Sequence, residues 1–180
     1  MKVGVTKETA QGERRVALVP DTVSRLSASG IEVLIESGAG EAANFTDVQY
    51  QEAGADLSPD AASICSHVDI VLKVHGPTLD EVDLISDGAT LIAFLQPMNN
   101  LDLIRRLMEK SITSFSMDTV PRIARAQSMD ALSSMSSIAG YKAAIIAANS
   151  LAKYFPMMIT AAGTYAPAKG LVLGAGVAGL

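Results

Sequence analysis

Short β-forming runs alternate with amphipathic stretches along the first two thirds of the chain, and the connections are only a few residues long. Lys2–Val5, Ile31–Glu36, Asp69–Val74, Thr90–Phe94 and Ile112–Met117 read as strands. Between them, Pro20–Ser29, Thr46–Glu52, Pro59–Cys65, Leu79–Ile85 and Leu101–Lys110 read as helices. Antiparallel strands need only a tight turn between them, whereas parallel strands need a crossover such as a helix. Strict alternation therefore predicts a parallel sheet covered by helices on both faces. The third run, Asp69-Ile-Val-Leu-Lys-Val74, agrees: it is nearly continuously apolar, the pattern of a strand buried on both sides.

Local signals set the helix ends. Pro20 stands in a first turn and Gly30 just past a last one. Thr46 and Asn100 precede apolar-periodic stretches as N-caps, Ser58 leads into the third helix, and Gly54 and Asp87-Gly88 act as stops.

The pattern changes after Asp118. Val120–Gln127 has a proline, two arginines and no period, and reads as a loop. Asp130–Phe155 reads as one long helix of small residues. Ile138, Tyr141, Ile145, Ala148, Leu151 and Phe155 would share a face, and such a helix could carry the chain into a further domain. Pro156 ends it. Met157–Lys169 reads as an apolar loop, and Gly170–Leu173 as a strand opening a second domain.

Composition narrows the function. Of the 180 residues, 49% are hydrophobic and 18% charged, which excludes a disordered chain. Aromatics are 4% and Trp is absent, so the core must be aliphatic. Fourteen basic residues against nineteen acidic give a net charge of −5, which argues against a general nucleic-acid binder. The single cysteine, Cys65, excludes a disulfide framework and reads as a small core residue. With only two histidines, His67 and His75, no metal site is expected. The charge-free stretch Tyr154–Ala168 is cut by Pro156 and Pro167, and falls short of the roughly 18 apolar residues of a membrane span.

Four groups of residues could carry chemistry. Gly174-x-Gly176-x-x-Gly179 follows the run Leu171-Val-Leu173 and matches the dinucleotide fingerprint. Its glycines would make a tight turn, admit a pyrophosphate against backbone, and let a following helix pack closely. The helix, the next strand and its ribose-binding acid are not in the chain, so the plain alternative is a flexible tail.

Pro121–Ser134 gathers Arg122, Arg125, Gln127, Asp130, Ser133 and Ser134 within fourteen residues. It is either a solvated loop leading into a helix capped by Ser128 or Asp130, or a set of neutral donors and acceptors suited to a carboxamide or ribose. Lys7-Glu8 and Glu13-Arg14-Arg15 follow the first strand. They are either an exposed charge run or a site in which Arg15 holds an anion. Lys73-Val-His75-Gly-Pro77 and Gln96-Pro97 end the third and fourth strand runs, where parallel sheets place ligands.

Together these stretches resemble the alanine dehydrogenase and nicotinamide nucleotide transhydrogenase N-terminal domain family. The resemblance runs through Val3-Gly-Val-Thr-Lys-Glu8, Glu13-Arg-Arg-Val-Ala-Leu-Val-Pro20, Gly38-Ala-Gly-Glu41, Lys73-Val-His-Gly-Pro77, Met157-Met-Ile-Thr-Ala-Ala-Gly163 and the glycine turn. It implies two Rossmann-like domains flanking a cleft. The expected class is thus α/β: a Rossmann-like (flavodoxin-like) parallel-sheet domain over residues 1–127, a linking helix over 128–156, and the first strand of an NAD-binding Rossmann domain over 157–180.

Two branches differ in their site residues. By resemblance, the alanine dehydrogenase branch uses an Arg, a Lys and a His around its substrate. Arg15 matches the Arg, but His75 stands at the Lys position and Gln96 at the His position. Arg122-Ile-Ala-Arg-Ala-Gln127-Ser-Met-Asp130-Ala-Leu-Ser133 instead resembles the signature loop of the proton-translocating NAD(P) transhydrogenase alpha subunit.

That likeness implies that Arg122, Gln127, Asp130 and Ser133 surround the nicotinamide end of NAD(H), with Gln127 and Asp130 closest to the chemistry. Gly174, Gly176, Val177, Ala178 and Gly179 would approach its phosphates. It also implies a homodimer, a beta subunit that binds NADP(H), a membrane component, and a place on the cytoplasmic side of the inner membrane, peripheral to it. Because the chain stops inside the glycine turn, these 180 residues alone are expected to be inactive and to bind NAD weakly at best. Two alternatives remain: an alanine dehydrogenase-like amino-acid oxidoreductase, and a non-catalytic subunit-interaction module.

Overall fold

The computed structural model describes residues 1–180 and divides into two compact units, Met1–Val120 and Pro121–Leu180. In the first unit the strands are β1 (Lys2–Val5), β2 (Glu32–Glu36), β3 (Asp56–Ser58), β4 (Ile70–His75), β5 (Thr90–Phe94) and β6 (Thr113–Ser116). The helices are α1 (Pro20–Ala28), α2 (Asp47–Glu52), α3 (Ala61–Cys65), α4 (Leu79–Leu84) and α5 (Leu101–Glu109). All six strands are parallel, in the order β3-β2-β1-β4-β5-β6.

The five strands read from sequence would by themselves form the flavodoxin order. The short β3, which sequence reading missed, extends the sheet beside β2 into the Rossmann order. β3 has only three residues, Asp-Leu-Ser, too few to show a period.

Two aliphatic clusters cover the two faces. Val3, Val5, Val33 and Ile35 pack with Val23 of α1 and Tyr50 of α2. Val71, Leu91 and Ala93 pack with Ile64, Val82, Leu103 and Leu107 from α3, α4 and α5. Along β4, Ile70 and Leu72 join the first cluster and Val71 the second, which accounts for its unbroken apolar run. The helices therefore change faces where the strand order reverses, between β1 and β4. Cys65 is a core residue, and burial pushes its thiol up to about 11.

Sequence signals and caps agree, with two exceptions. Thr46 and Thr78 each form a capping box, with Gln49 and Glu81. α3, however, starts at Ala61 rather than Pro59, because Asp60 caps it by accepting from Ser63 N at 2.7 Å while Ser58 closes β3. Asn100 is the N-cap residue of α5 but does not cap it with its side chain. Its Nδ2 donates instead to Leu95 O at 2.8 Å.

Gly4 of β1 lies under α3. A Cβ there would collide with Ile64 Cγ2 and sit 3.1 Å from both Val68 methyls. Gly4→Ala is expected to cost about 1–3 kcal/mol by overpacking, read as a lower urea midpoint. An unchanged midpoint would show that α3 yields freely.

The second unit holds α6 (Ala131–Ser150) and a hairpin of β7 (Met158–Thr160) and β8 (Gly163–Tyr165). Four expectations need correction here. Met157–Lys169, read as a loop, holds this hairpin. The region read as a loop up to Gln127 contains a 3₁₀ segment, Ala124–Met129. The long helix ends at Ser150, not Phe155. Residues 154–155 are held off the helix by the Tyr154–Tyr165 edge contact (centroids 5.3 Å apart) and by Ala168 N donating to Phe155 O at 3.1 Å. Residues 170–173, read as a strand, form none, because a parallel strand requires a hydrogen-bonded neighbour and the only strands of this unit pair with each other. The α6 face of Ile138, Tyr141 and Ile145 is exposed.

Candidate functional site

In an open parallel sheet, the loops leaving two strands diverge where the strand order reverses, and they open a crevice at the strands' carboxyl ends. Here those strands are β1 and β4. The connection after β1, residues 6–19, is held to the end of β4 by side chains of both elements. Glu8 accepts from Val74 N at 2.6 Å and His75 N at 3.1 Å, so its carboxylate takes the place of a further strand neighbour. Lys73 lies in the apolar run of β4 with its side chain only 3% exposed. Its Nζ donates to Lys7 O at 3.1 Å and Glu81 Oε1 at 3.0 Å, and lies 3.4 Å from Thr6 Oγ1.

Glu81 does two things at once. Oε1 takes Lys73 and Thr9, while Oε2 accepts from Thr78 N at 2.8 Å and completes the cap of α4. Burial raises the pKa of its carboxyl, but the Thr78 amide and the Lys73 ammonium outweigh that and hold it below the ordinary value.

Glu13 is the other partly buried acid of this edge. It accepts from Arg15 Nε at 2.8 Å and Nη2 at 2.6 Å, and its Oε2 lies 2.8 Å from His75 Nε2. The carboxylate is 8% exposed, while Arg15 and His75 are 42% and 47% exposed, so the guanidinium and the imidazole form the outer layer. The Arg15 hydrogen bond chiefly, with help from His75, brings the Glu13 carboxyl down to about 2 against the opposing effect of burial. A folded pKa below the ordinary 4.5 means that Glu13 stabilises the fold above that pH and loses this contribution as pH falls toward 2. Glu13→Gln is therefore expected to flatten the acid loss of stability between those pH values, measured by urea unfolding at each pH. An unchanged acid slope would contradict the pairing.

Beyond His75 a cleft of about 350 Å³ opens between the ends of β4 and β5, lined by His75, Thr78, Gln96 and Asn100. Gln96 adopts φ +47°, a left-handed conformation costly for a residue with a Cβ. It is held there by its N–H on Asp118 Oδ1 at 3.2 Å and by its carbonyl, which accepts from Asn99 N and Asn100 N.

In the second unit, Asp130 is the N-cap of α6. Its Oδ1 accepts from Ser133 N at 2.9 Å and its Oδ2 from Ser133 Oγ at 2.6 Å. These two bonds, chiefly the hydroxyl's, together with the charge of Arg122, keep its carboxyl below the ordinary value. Arg122 and Gln127 are exposed, and Gln127 lies on the 3₁₀ segment with its carbonyl accepting from Asp130 N at 3.3 Å. Serine is a poor helix former, and the serines at the start of α6 bond back to the helix: Ser134 to Asp130 O, Ser136 to Leu132 O and Ser137 to Ser134 O.

The fingerprint residues form a turn that packs against α6, where a Cβ at Gly140 would meet the Ala178 backbone. Gly174 takes φ +113°, which a side chain would disfavour. Gly179 N and Leu180 N both donate to Gly176 O, and the space above Gly176 is open. No hydrogen bond joins this turn to residues 122–133.

The family description "Alanine dehydrogenase/PNT, N-terminal domain" matches residues 4–139, three quarters of the chain. The chain belongs to this family. The companion description, "Alanine dehydrogenase/PNT, C-terminal domain", matches residues 143–180. The NAD(P) transhydrogenase subunit alpha of Cereibacter sphaeroides is 48% identical over 180 residues, which are the whole of this chain and 34% of that protein. The crystal structure of transhydrogenase from Sinorhizobium meliloti superposes with TM-score 0.95 at 41% identity, covering 99% of this chain and 53% of that one. A solved L-alanine dehydrogenase gives TM-score 0.77 at 34% identity over 83% of this chain and 40% of that one. The chain thus spans from a third to about half of the proteins it matches.

Sequence reading named Glu8, Glu13, Arg15, Lys73 and His75 but did not pair them, and it missed Glu81 and Asp118. One signal for Glu81 was present. A lysine inside a buried apolar strand requires a partner, and Thr78-x-x-Glu81 is a legible capping box that brings a carboxylate close to that strand's end.

Proposed function

We propose that this chain is the N-terminal part of the NAD(H)-binding component of an NAD(P) transhydrogenase. The observation that carries the reading is the state of the groups at the positions of the alanine dehydrogenase substrate residues. Reductive amination needs a proton donor and a free cation for the substrate carboxylate. Arg15 spends its fork on Glu13, and Gln96 exchanges no proton. Hydride transfer between two nicotinamides needs neither. It requires that the ring and its ribose be held at near-attack distance.

The residues fit such a ligand. The positive φ of Gly174 and the open backbone at Gly176 suit close approach of phosphate oxygens. NAD(H), when bound, supplies or accepts the hydride. Arg122, Gln127, Asp130 and Ser133 would hold its nicotinamide end, the guanidinium and amide presenting donors and Ser133 a hydroxyl. Gly174, Gly176, Val177, Ala178 and Gly179 would meet its pyrophosphate.

Residues 1–127 serve as one Rossmann-like domain, 128–156 as a linker, and 157–180 as the opening of the NAD-binding domain. The whole assembly in this reading is a homodimer joined to an NADP(H)-binding beta subunit and a membrane component. It lies on the cytoplasmic face of the inner membrane and couples transfer to protons. No helix of this chain is long and apolar enough to cross a membrane.

The test against the alanine dehydrogenase branch is pyruvate- and ammonia-dependent oxidation of NADH by the full-length protein. The expected result is no oxidation above background. Robust oxidation would overturn the reading.

A further inference from the structure

Glycine is costly inside a helix, because its backbone loses the most freedom on ordering. Gly140 nevertheless stands near the middle of α6, with helical backbone that any residue adopts. Its place there is explained by space. A Cβ at Gly140 would run into the Ala178 carbonyl oxygen, and would lie 2.9 Å from the carbonyl carbon and 3.2 Å from the Cα of that residue. All three are backbone atoms, which cannot step aside as the tip of a flexible side chain can. Ala178 belongs to the glycine turn, so the turn rests on α6 backbone to backbone.

The rest of the turn shows what this seat fixes. Gly176 O accepts from Gly179 N at 2.9 Å and from Leu180 N at 3.1 Å. A Cβ at Gly179 would meet Gly174 O, so the turn is closed tightly on itself. A Cβ at Gly176 would meet nothing within 4 Å, so the turn is open there. A closed turn moves as one piece, and its support decides where the open side lies. That support is the helix that begins at the Asp130 cap. Ser133, Ser136 and Gly140 are half-buried and recur at three- and four-residue spacing, on one face. Ser133 and Gly140 stand two helical turns apart, about 10 Å along the axis.

We infer that Gly140 is a positioning residue for NAD(H). By admitting the Ala178 backbone against α6, it sets the distance between the turn that meets the pyrophosphate and the start of the helix. This rests on the reading above, which places the phosphates at the turn.

The experiment uses the full-length protein and its Gly140→Ala and Gly140→Ser variants. NADH binding is read by fluorescence titration, and ADP-ribose and adenosine by their displacement of NADH. Helix content is followed by circular dichroism. Alanine is a better helix former than glycine, so the helix signal of Gly140→Ala is expected to hold or rise. NADH and ADP-ribose are nevertheless expected to weaken about tenfold, as for one lost hydrogen bond to a charged group. Adenosine, which has no phosphate, is expected to compete as it does in the wild type. Gly140→Ser carries the same Cβ on a poorer helix former, and is expected to lose as much. Equal losses in the two variants assign the effect to the displaced turn rather than to helix stability.

Wild-type affinity for ADP-ribose in Gly140→Ala would overturn the inference and leave NAD(H) at the turn. A fall for adenosine matching that for ADP-ribose would mean that the domain is loosened as a whole, and would also overturn it. So would a lowered helix signal in both variants, since α6 rather than the turn would then have given way. A wild type that binds neither NADH nor ADP-ribose would instead remove the reading of the turn, and the inference with it.

Discussion

Glu81→Ala is expected to lower the unfolding free energy by about 3–5 kcal/mol, because it strands a charged lysine in the sheet. The Lys73 side chain is 3% exposed, and Glu81 is its only anionic partner within 4 Å. The substitution also removes the acceptor for Thr78 N at the start of α4. Losing one partner of a buried pair is far more damaging than replacing both. Lys73→Met with Glu81→Gln is therefore expected to recover most of the loss, to within about 1 kcal/mol of wild type, since Gln can still complete the capping box. Urea unfolding of the three proteins measures this. A Glu81→Ala loss below about 1 kcal/mol would mean that water reaches Lys73 and that the crevice edge is not fixed as described.

Gln127→Asn is expected to slow hydride transfer about 10- to 100-fold while leaving the NADH dissociation constant within about threefold, because small misplacements of a reacting ring are costly. Shortening the side chain by one methylene keeps its chemistry and moves its amide. Gln127 is free to act on a ligand, being exposed on the 3₁₀ segment that leads into Asp130. In the proposed site, contacts with adenosine and pyrophosphate are made away from Gln127 and would sustain binding. Single-turnover rates and NADH titrations on the same protein separate the two quantities. A parallel fall in both would contradict an orienting role.

The sheet was legible because four of its five longer strands carry a largely apolar run and helical stretches separate all five; β6, Thr-Ser-Phe-Ser, carries no such run. β3 was not, since three residues show no period, and only its pairing with β2 makes it a strand. The converse failure was at residues 170–173, where a strand-like run forms none for lack of neighbours. The hairpin of β7 and β8 was read as loop because it is held by its own pairing and by Tyr154 against Tyr165, which no local pattern encodes.

At the candidate site, the residue types were legible and their pairings were not. Glu13, Arg15 and His75 come from two strand ends that meet only through the β1–β4 pairing, 60 residues and more apart in sequence. The Asp130–Ser133 pair is local, and the N-cap expectation already pointed to it. That the Ser133 hydroxyl donates to the same carboxylate became visible only with the geometry.

Direct transfer of labelled hydride tests the central claim. NADH carrying deuterium at the transferable C4 position, NADP⁺, the full-length protein and an NADP(H)-binding transhydrogenase component are mixed, and the NADPH formed is analysed for deuterium. The account predicts that the C4–deuterium bond of NADH breaks as a new one forms at C4 of the second nicotinamide, with full retention of label and no need for pyruvate or ammonia. Absence of labelled NADPH, while the same protein oxidises NADH with pyruvate and ammonia, would contradict it.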